Sequence, residues 1–312
     1  MSDYAAPKMT SIDFTHYEQV FQPDLESPYA PDLIREIESY RKGFGGVLFI
    51  DKVLSALAKS YPPRGDNALR ELHQKVCQSK SAAQQKLSVL YYLLLDFDDI
   101  LGVRSRLAEE FAEKSGVPGK YQIFMKGLWH MDRQQFPIAL EYLAHPSLVP
   151  EFADDIITIL VRHARDDDFS WALAYYQTVN PVLKTPEALE LYFIALARTS
   201  VTEALLYSRT HPESARRLLF EQLVASVHDG PSSAGLAGPG SREQRARTLA
   251  SLPLDRDEER WLDEYLTGPE GRRLKNGRDT WVMRKIATNR TSELGDDNLR
   301  AHLAAFGRPS AF

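Results

Sequence analysis

Ala139-Leu140-Glu141-Tyr142, Ala172-Leu173-Ala174-Tyr175 and Ala204-Leu205-Leu206-Tyr207 repeat one pattern, Ala-Leu-x-Tyr, at intervals of 33 and then 32 residues (139 to 172, 172 to 204). A proline follows each copy, at Pro146, Pro181 and Pro212. The period is the length of one helical hairpin, a unit that cannot bury its apolar face alone and must stack on a neighbour. A small Ala beside Leu and Tyr on one face lets helices approach closely while the aromatic fills the groove. The reading is an all-α chain, an α-solenoid of stacked helical hairpins. Its repeat tyrosines, with Trp129 and Trp171, are expected in the core.

Outward from the repeats the pattern stays helical. Partner helices are expected over Phe152 to Arg165, over Glu187 to Arg198 and over Ser214 to Val227. Thr185-Pro186-Glu187 opens the second of these with an N-cap followed by proline at the first helical position. Leu87 to Leu95 is apolar almost all the way round, so that helix belongs at the centre of the stack. Further upstream, Pro31 starts a helix, Gly43, Gly45 and Gly46 interrupt it, and Val47 to Ser60 resumes it. Asp66 or Asn67 caps the next helix, Ser81 opens another, and Gly116 closes the one from Ser105. Two-residue alternation is almost absent, so strands are not needed.

Four segments follow from composition. Residues 1–30, with Pro7, Pro23 and Pro28, form an extended lead-in, and 31–228 the helical solenoid. Residues 229–241 are a flexible Gly/Pro/Ser linker, and 242–312 a helical, basic tail that is partly disordered when free. In the tail, Trp261, Leu262, Tyr265 and Leu266 share one helix face, and Trp281 follows. Around Trp281, Arg272, Arg273, Lys275, Arg278, Arg284, Lys285 and Arg290 meet one acid, Asp279, so the segment reads as positive and weakly structured. For Trp261 and Trp281 both a partner interface and internal packing remain open.

Bulk properties exclude several function classes. With 43% hydrophobic and 26% charged residues in 312, the chain has the balance of a soluble protein. A net charge of −5 argues against a nucleic-acid binder, because phosphates need a positive field. One cysteine, Cys77, can form no internal disulfide or thiolate zinc cage, which fits a reducing compartment. Met1-Ser2-Asp3-Tyr4 starts no signal peptide, and no apolar stretch is long enough to span a bilayer. Without a secretion route the Asn289-Arg290-Thr291 triplet carries no glycosylation meaning.

No motif for chemistry completes itself. His73 and Cys77 share a helix face at the spacing of a nucleophile and base, but nothing joins them, so they read as a surface histidine and a small buried thiol. Asp96-Phe97-Asp98-Asp99 resembles the start of a calcium loop, yet Ile100, Leu101 and Leu107 stand at the required ligand and glycine positions. It reads as a charged helix terminus. Gly43-Phe44-Gly45-Gly46 lacks the third glycine of a dinucleotide fingerprint, which leaves an inter-helix turn. Asp166-Asp167-Asp168 reads as an N-cap with favourable helix-dipole charge. Phe306-Gly307-Arg308-Pro309 keeps one arginine of a minor-groove hook, too little to read DNA. The expectation is no catalytic residue, no metal and no cofactor.

Tyr91-Tyr92-Leu93-Leu94-Leu95-Asp96-Phe97, Trp129-His130-Met131-Asp132, Pro150-Glu151-Phe152 and the three repeats, the last extended to Glu203 and Arg209, occur in an order that resembles a known family. The stretch is similar to the ELYS-like helical domain of a nucleoporin in the Y-shaped nuclear pore subcomplex, and with flanking helices the similarity covers about two thirds of the chain. The resemblance implies a non-catalytic α-solenoid at the nuclear envelope that docks on other Y-complex subunits, helps assemble the pore and supports transport of protein and mRNA. It also implies the short fungal form, without the propeller and chromatin-binding tail of animal members. The partner-binding residues expected are Trp261, Leu262, Tyr265, Leu266 and Trp281, with no small-molecule substrate, no transmembrane segment and no direct DNA binding.

Two other classes compete. A tetratricopeptide-like peptide-binding adaptor suits the period, although no Trp-x-x-Leu-Gly-x-x-Tyr run introduces the repeats. An enzyme on a helical scaffold needs a deep pocket with convergent titratable groups, and the sequence supplies no such cluster.

Overall fold

The computed structural model describes residues 12–55, 61–102, 104–229 and 241–294. Among them every regular element is helical. Most of the linker expected over 229–241, the end of the helix expected to reach Ser60 and the Phe306-Gly307-Arg308-Pro309 motif lie outside the described residues.

The chain packs as two units, residues Met1–Glu151 with Gln177–Pro181, and Phe152–Tyr176 with Val182–Phe312. The first holds α1 (Tyr17–Val20), α2 (Pro31–Gly43), α3 (Phe49–Leu54), α4 (Asp66–Gln78), α5 (Ala83–Leu101), α6 (Leu107–Ser115), α7 (Gly119–Asp132) and α8 (Phe136–Leu143). Of these α7 packs on α8, α5, α3 and α2, while α5 also meets α4 and α6. Pro31 stands at the first position of α2, as its missing N–H predicts, and Gly116 ends α6 in the left-handed conformation. Leu90 to Leu94 are all buried, so α5 is the central helix its composition foretells. Asp66 is the first residue of α4 rather than its cap, and the residue before it is Gly65.

The seam between α7 and α8 explains the first repeat. Gly127 has no side chain because a Cβ there would lie 2.6 Å from Leu143 Cγ. The helices therefore meet at close range, with Tyr142 stacked on the His130 ring at 5.6 Å.

The second unit holds α9 (Ala153–Arg162), α10 (Ser170–Val179, through Tyr176), α11 (Pro186–Thr199), α12 (Val201–Arg209), α13 (Glu213–His228), α14 (Arg242–Ser251), α15 (Arg256–Thr267), α16 (Pro269–Arg273) and α17 (Gly277–Ala287). Helix α11 packs on α9, α12 and α13, and α13 in turn receives α14 and α15. Thr185 caps α11 by accepting the Ala188 N–H, with Pro186 next, as the sequence predicts. Asp168 accepts the Ser170 N–H at the start of α10.

All three repeat alanines, Ala139, Ala172 and Ala204, are fully buried, and Leu140, Leu173 and Leu205 are buried beside them. The tyrosines divide. Tyr175 is buried, whereas Tyr142 and Tyr207 are half-buried, with Tyr207 set edge-on to Tyr192 at 5.6 Å. Trp171, expected in the core, is 44% exposed. Ala172, Leu173 and Tyr175 define the buried side of α10, and at about 100° per residue the tryptophan falls outside it.

Candidate functional site

Two places in the molecule gather polar chemistry, one in each unit. In the first, Asp96 on α5 is 0% exposed and accepts from four groups: Tyr29 Oη at 2.8 Å, Tyr61 Oη at 2.8 Å, Trp129 Nε1 at 2.9 Å and an Arg133 guanidinium nitrogen at 3.0 Å. Burial and the adjacent Asp96 carboxylate push the Tyr29 and Tyr61 hydroxyls well up, which keeps them donors. Arg133 also pairs with Asp99 and lies over the Trp129 ring at 4.1 Å. Asp96 is therefore not part of a charged helix terminus but the centre of a closed core network. Asp98, two residues on, caps α6 by accepting the Leu107 and Ala108 N–H groups.

Asp132, the last residue of α7, does similar work for α3. It accepts the Phe49 and Ile50 N–H groups at 2.6 and 3.0 Å and the Tyr92 hydroxyl at 2.9 Å, and burial pushes its carboxyl up to about 7. A carboxyl near 7 is a common mark of general acid–base sites. Here its oxygens are engaged by the protein's own backbone and a tyrosine, and the residue is 3% exposed, which supports a structural role.

His73 and Cys77 reverse their expected positions. His73 is the buried member, with Nε2 2.9 Å from the Phe14 carbonyl, and Cys77 is half-buried. The lead-in segment lies over α4 and covers the imidazole. Burial raises the thiol and lowers the imidazole, the opposite of an activated Cys–His pair. Among the described residues no group of three His, Cys, Asp or Glu is arranged to hold a metal ion.

The second place is the end of the second unit. Helix α15 opens on a capping box: Asp255 accepts the Asp257 and Glu258 N–H groups, while Glu258 accepts the Asp255 N–H at 2.9 Å. Glu258 is fully buried and also takes both arms of Arg209, at 2.8 and 2.7 Å, and Arg216. Burial alone raises such a carboxyl, but these guanidinium hydrogen bonds hold it below the usual range.

The five expected anchors separate at this point. Trp261, Leu262 and Leu266 are buried within the chain, Trp261 against Phe220 of α13 at 6.0 Å. The protein's own helices occupy that apolar face. Tyr265 and Trp281 are half-exposed, and the Trp281 indole N–H donates to Asp263 at 2.9 Å.

The positive, weakly structured segment expected around Trp281 is α16 and α17, and much of its charge is neutralised. Lys285 is 1% exposed and donates to Asp263 and Glu293 at 2.7 and 2.6 Å. Arg284 donates to Glu259 and to the Ala250 and Leu252 carbonyls. Composition shows that the cations exist, but the acids that meet them lie on α15 and after α17. Leu266, Leu274, Trp281, Arg272, Arg278 and Asp279 line a groove of about 510 Å³ beside these helices.

Among the described residues no helix is long and apolar enough to cross a membrane. Residues 47–269 match the family described as ELYS, nuclear pore complex assembly. The chain is 25% identical over 261 residues to uncharacterized protein ely5 of Schizosaccharomyces pombe, an alignment that spans 80% of this chain and 79% of that one.

Proposed function

This chain belongs to the ELYS nuclear pore complex assembly family, and from that premise we propose that it is a non-catalytic scaffold that docks on other subunits of the pore's Y-complex. The family's role is nuclear pore complex assembly, which implies a nuclear or pore location. The finer role proposed is to hold Y-complex neighbours in register at the nuclear envelope and so to support transport of protein and mRNA. Its partners are other nucleoporins, with no cofactor, no small-molecule substrate and no direct DNA contact.

The observation that carries this reading is the extent of the match, which runs from before α3 to the start of α16 and so takes in all three repeats. The state of the buried carboxylates supports the absence of catalysis. Asp96 and Asp132 are engaged on all sides by the protein's own donors. In the proposal the segment after the linker, residues 242–312, contributes a docking face. Tyr265 and Trp281 are its accessible anchors, while Trp261, Leu262 and Leu266 keep it folded.

Affinity purification of the tagged full-length chain from nuclear envelopes, followed by protein identification, tests the reading. The expected outcome is a set of Y-complex subunits. Recovery of no pore scaffold protein overturns it, and a chain lacking residues 242–312 that recovers the same set overturns the assignment of the docking face.

A further inference from the structure

The cations of α16, α17 and the turns around them sort into two sets. Arg273 meets Glu270, Arg284 meets Glu259, Lys285 meets Asp263 and Glu293, and Arg290 meets Glu293. Arg272, Lys275 and Arg278 have no carboxylate at ion-pair distance among the described residues, and all three are exposed. Arg272 and Arg278 line the groove beside Trp281, and Lys275 stands between them in the sequence. Two of these three cations therefore edge one cleft, in whose lining Asp279 is the acid.

The cleft is held by backbone. A Cβ on Gly271 would lie 2.2 Å from the Tyr265 carbonyl oxygen and 2.4 Å from Leu266 Cα, and one on Gly277 would lie 2.7 Å from the Gly271 carbonyl oxygen. Helix α16 thus sits directly on the end of α15, and the start of α17 directly on α16, with backbone as the nearest neighbour of each glycine. Trp281 is fixed as well. Its N–H is held by Asp263, and the Lys285 ammonium lies 5.5 Å from its ring centroid. A half-exposed, oriented indole that lines one groove with Leu274 and two guanidiniums has the make-up of an interface hot spot. Its volume falls in the range of ligand clefts, about 300–1,000 Å³.

We propose that this groove binds an acidic peptide segment of a partner protein, with one bulky apolar side chain against Trp281 and Leu274 and carboxylates at Arg272 and Arg278. The guanidinium fork matches a carboxylate in two-point geometry. Phosphate backbones fit less well, because the chain as a whole carries a net charge of −5 and Asp279 sits in the lining. The proposal rests on the docking reading above only in taking a protein as the occupant.

Fluorescence polarisation with the purified full-length chain tests it. The probes are short labelled peptides that place one Trp, Phe or Leu among Asp and Glu. Matched peptides carry Lys for the acids or Ser for the apolar residue. The acidic, apolar-bearing probes are expected to bind and to weaken as salt rises. Arg272→Glu with Arg278→Glu, both at exposed positions, is expected to weaken binding roughly tenfold or more while the melting temperature stays unchanged. Trp281→Ala weakens it independently of charge. The proposal is overturned if no probe binds, if the Lys-flanked peptides bind equally well, if the double charge reversal has no effect, or if a single-stranded oligonucleotide displaces the peptide. Purification from nuclear envelopes separates the two readings. A chain that recovers pore proteins but binds no acidic peptide leaves the pore role standing without the groove, and the converse result leaves the groove standing without the pore role.

Discussion

Asp96 and Glu258 are both fully buried carboxylates, yet the two units solve the same electrostatic problem in different ways. Around Asp96 three of the four donors are neutral, two tyrosines and an indole, and the single guanidinium is itself 9% exposed. Around Glu258 the side-chain donors are two arginines from α12 and α13 whose side chains stay 31% and 21% exposed. The first is a buried polar core in which the Asp96 carboxylate takes four donors. The second is a clamp that fixes α15 to its neighbours while its cations still touch water. A buried charge is tolerated when it is either saturated by neutral dipoles or paired, and removal of the charge costs most where its partners have no access to solvent.

The largest expected effect breaks the sealed network. Asp96→Ala leaves the Arg133 charge without its buried partner and three donors without an acceptor, with a loss of about 3–5 kcal/mol in chemical denaturation. A loss under about 1 kcal/mol would mean that water enters the network and that the two sites are alike. The clamp gives less. Glu258→Ala is expected to cost about 2–3 kcal/mol, because Arg209 and Arg216 can turn to water and Asp255 still pairs with Arg216. The loss should appear as faster hydrogen exchange in α15 while α5 and α7 keep their protection.

A third test sharpens the contrast through pH. Asp132 has a folded-state pKa of about 7, raised by burial above its unfolded value, so the folded form holds its proton longer. The stability linked to that proton is full below about pH 4 and is lost as pH rises toward 7. Glu258 runs the other way. Its carboxyl is held below the usual range, so its contribution is present above the unfolded pKa of about 4 and is lost in stronger acid. Hydrogen exchange followed from about pH 4 to 7 should therefore show α3 loosening relative to α15 as pH rises. Parallel behaviour of the two helices would refute the opposed signs.

What was legible in the sequence was mostly local. Each Ala-Leu-x-Tyr copy, the Thr185-Pro186 start, the Gly116 stop and the all-round apolar run in α5 depend on residues within a few turns, and each lies in a helix or at a helix end as expected. Asp96 was not legible, because its donors lie 67, 35, 33 and 37 residues away in the chain and no spacing rule links them. The same holds for His73, which is buried by a contact with Phe14. Lys285 and Arg284 read as part of a positive, weakly structured segment because the acids that neutralise them lie outside it. Of the five anchor residues, amphipathic spacing identified an apolar face on α15 correctly but could not say who covers it. The groove left no signal beyond Gly271 and Gly277, whose closeness to backbone appears only once the helices are packed.

The sequence by itself determined that the chain is helical, where many of its helices start and stop, and which faces are apolar, since those properties follow from backbone conformation and from residues three or four apart. Family membership was carried by the same local features, in their order along the chain. Only the tertiary structure decided which charges are buried and satisfied, which apolar face is already covered, and which of the basic residues around Trp281 meet an acid within the described residues. A charge becomes core or surface through the groups that surround it, and those groups come from helices that the linear order keeps apart.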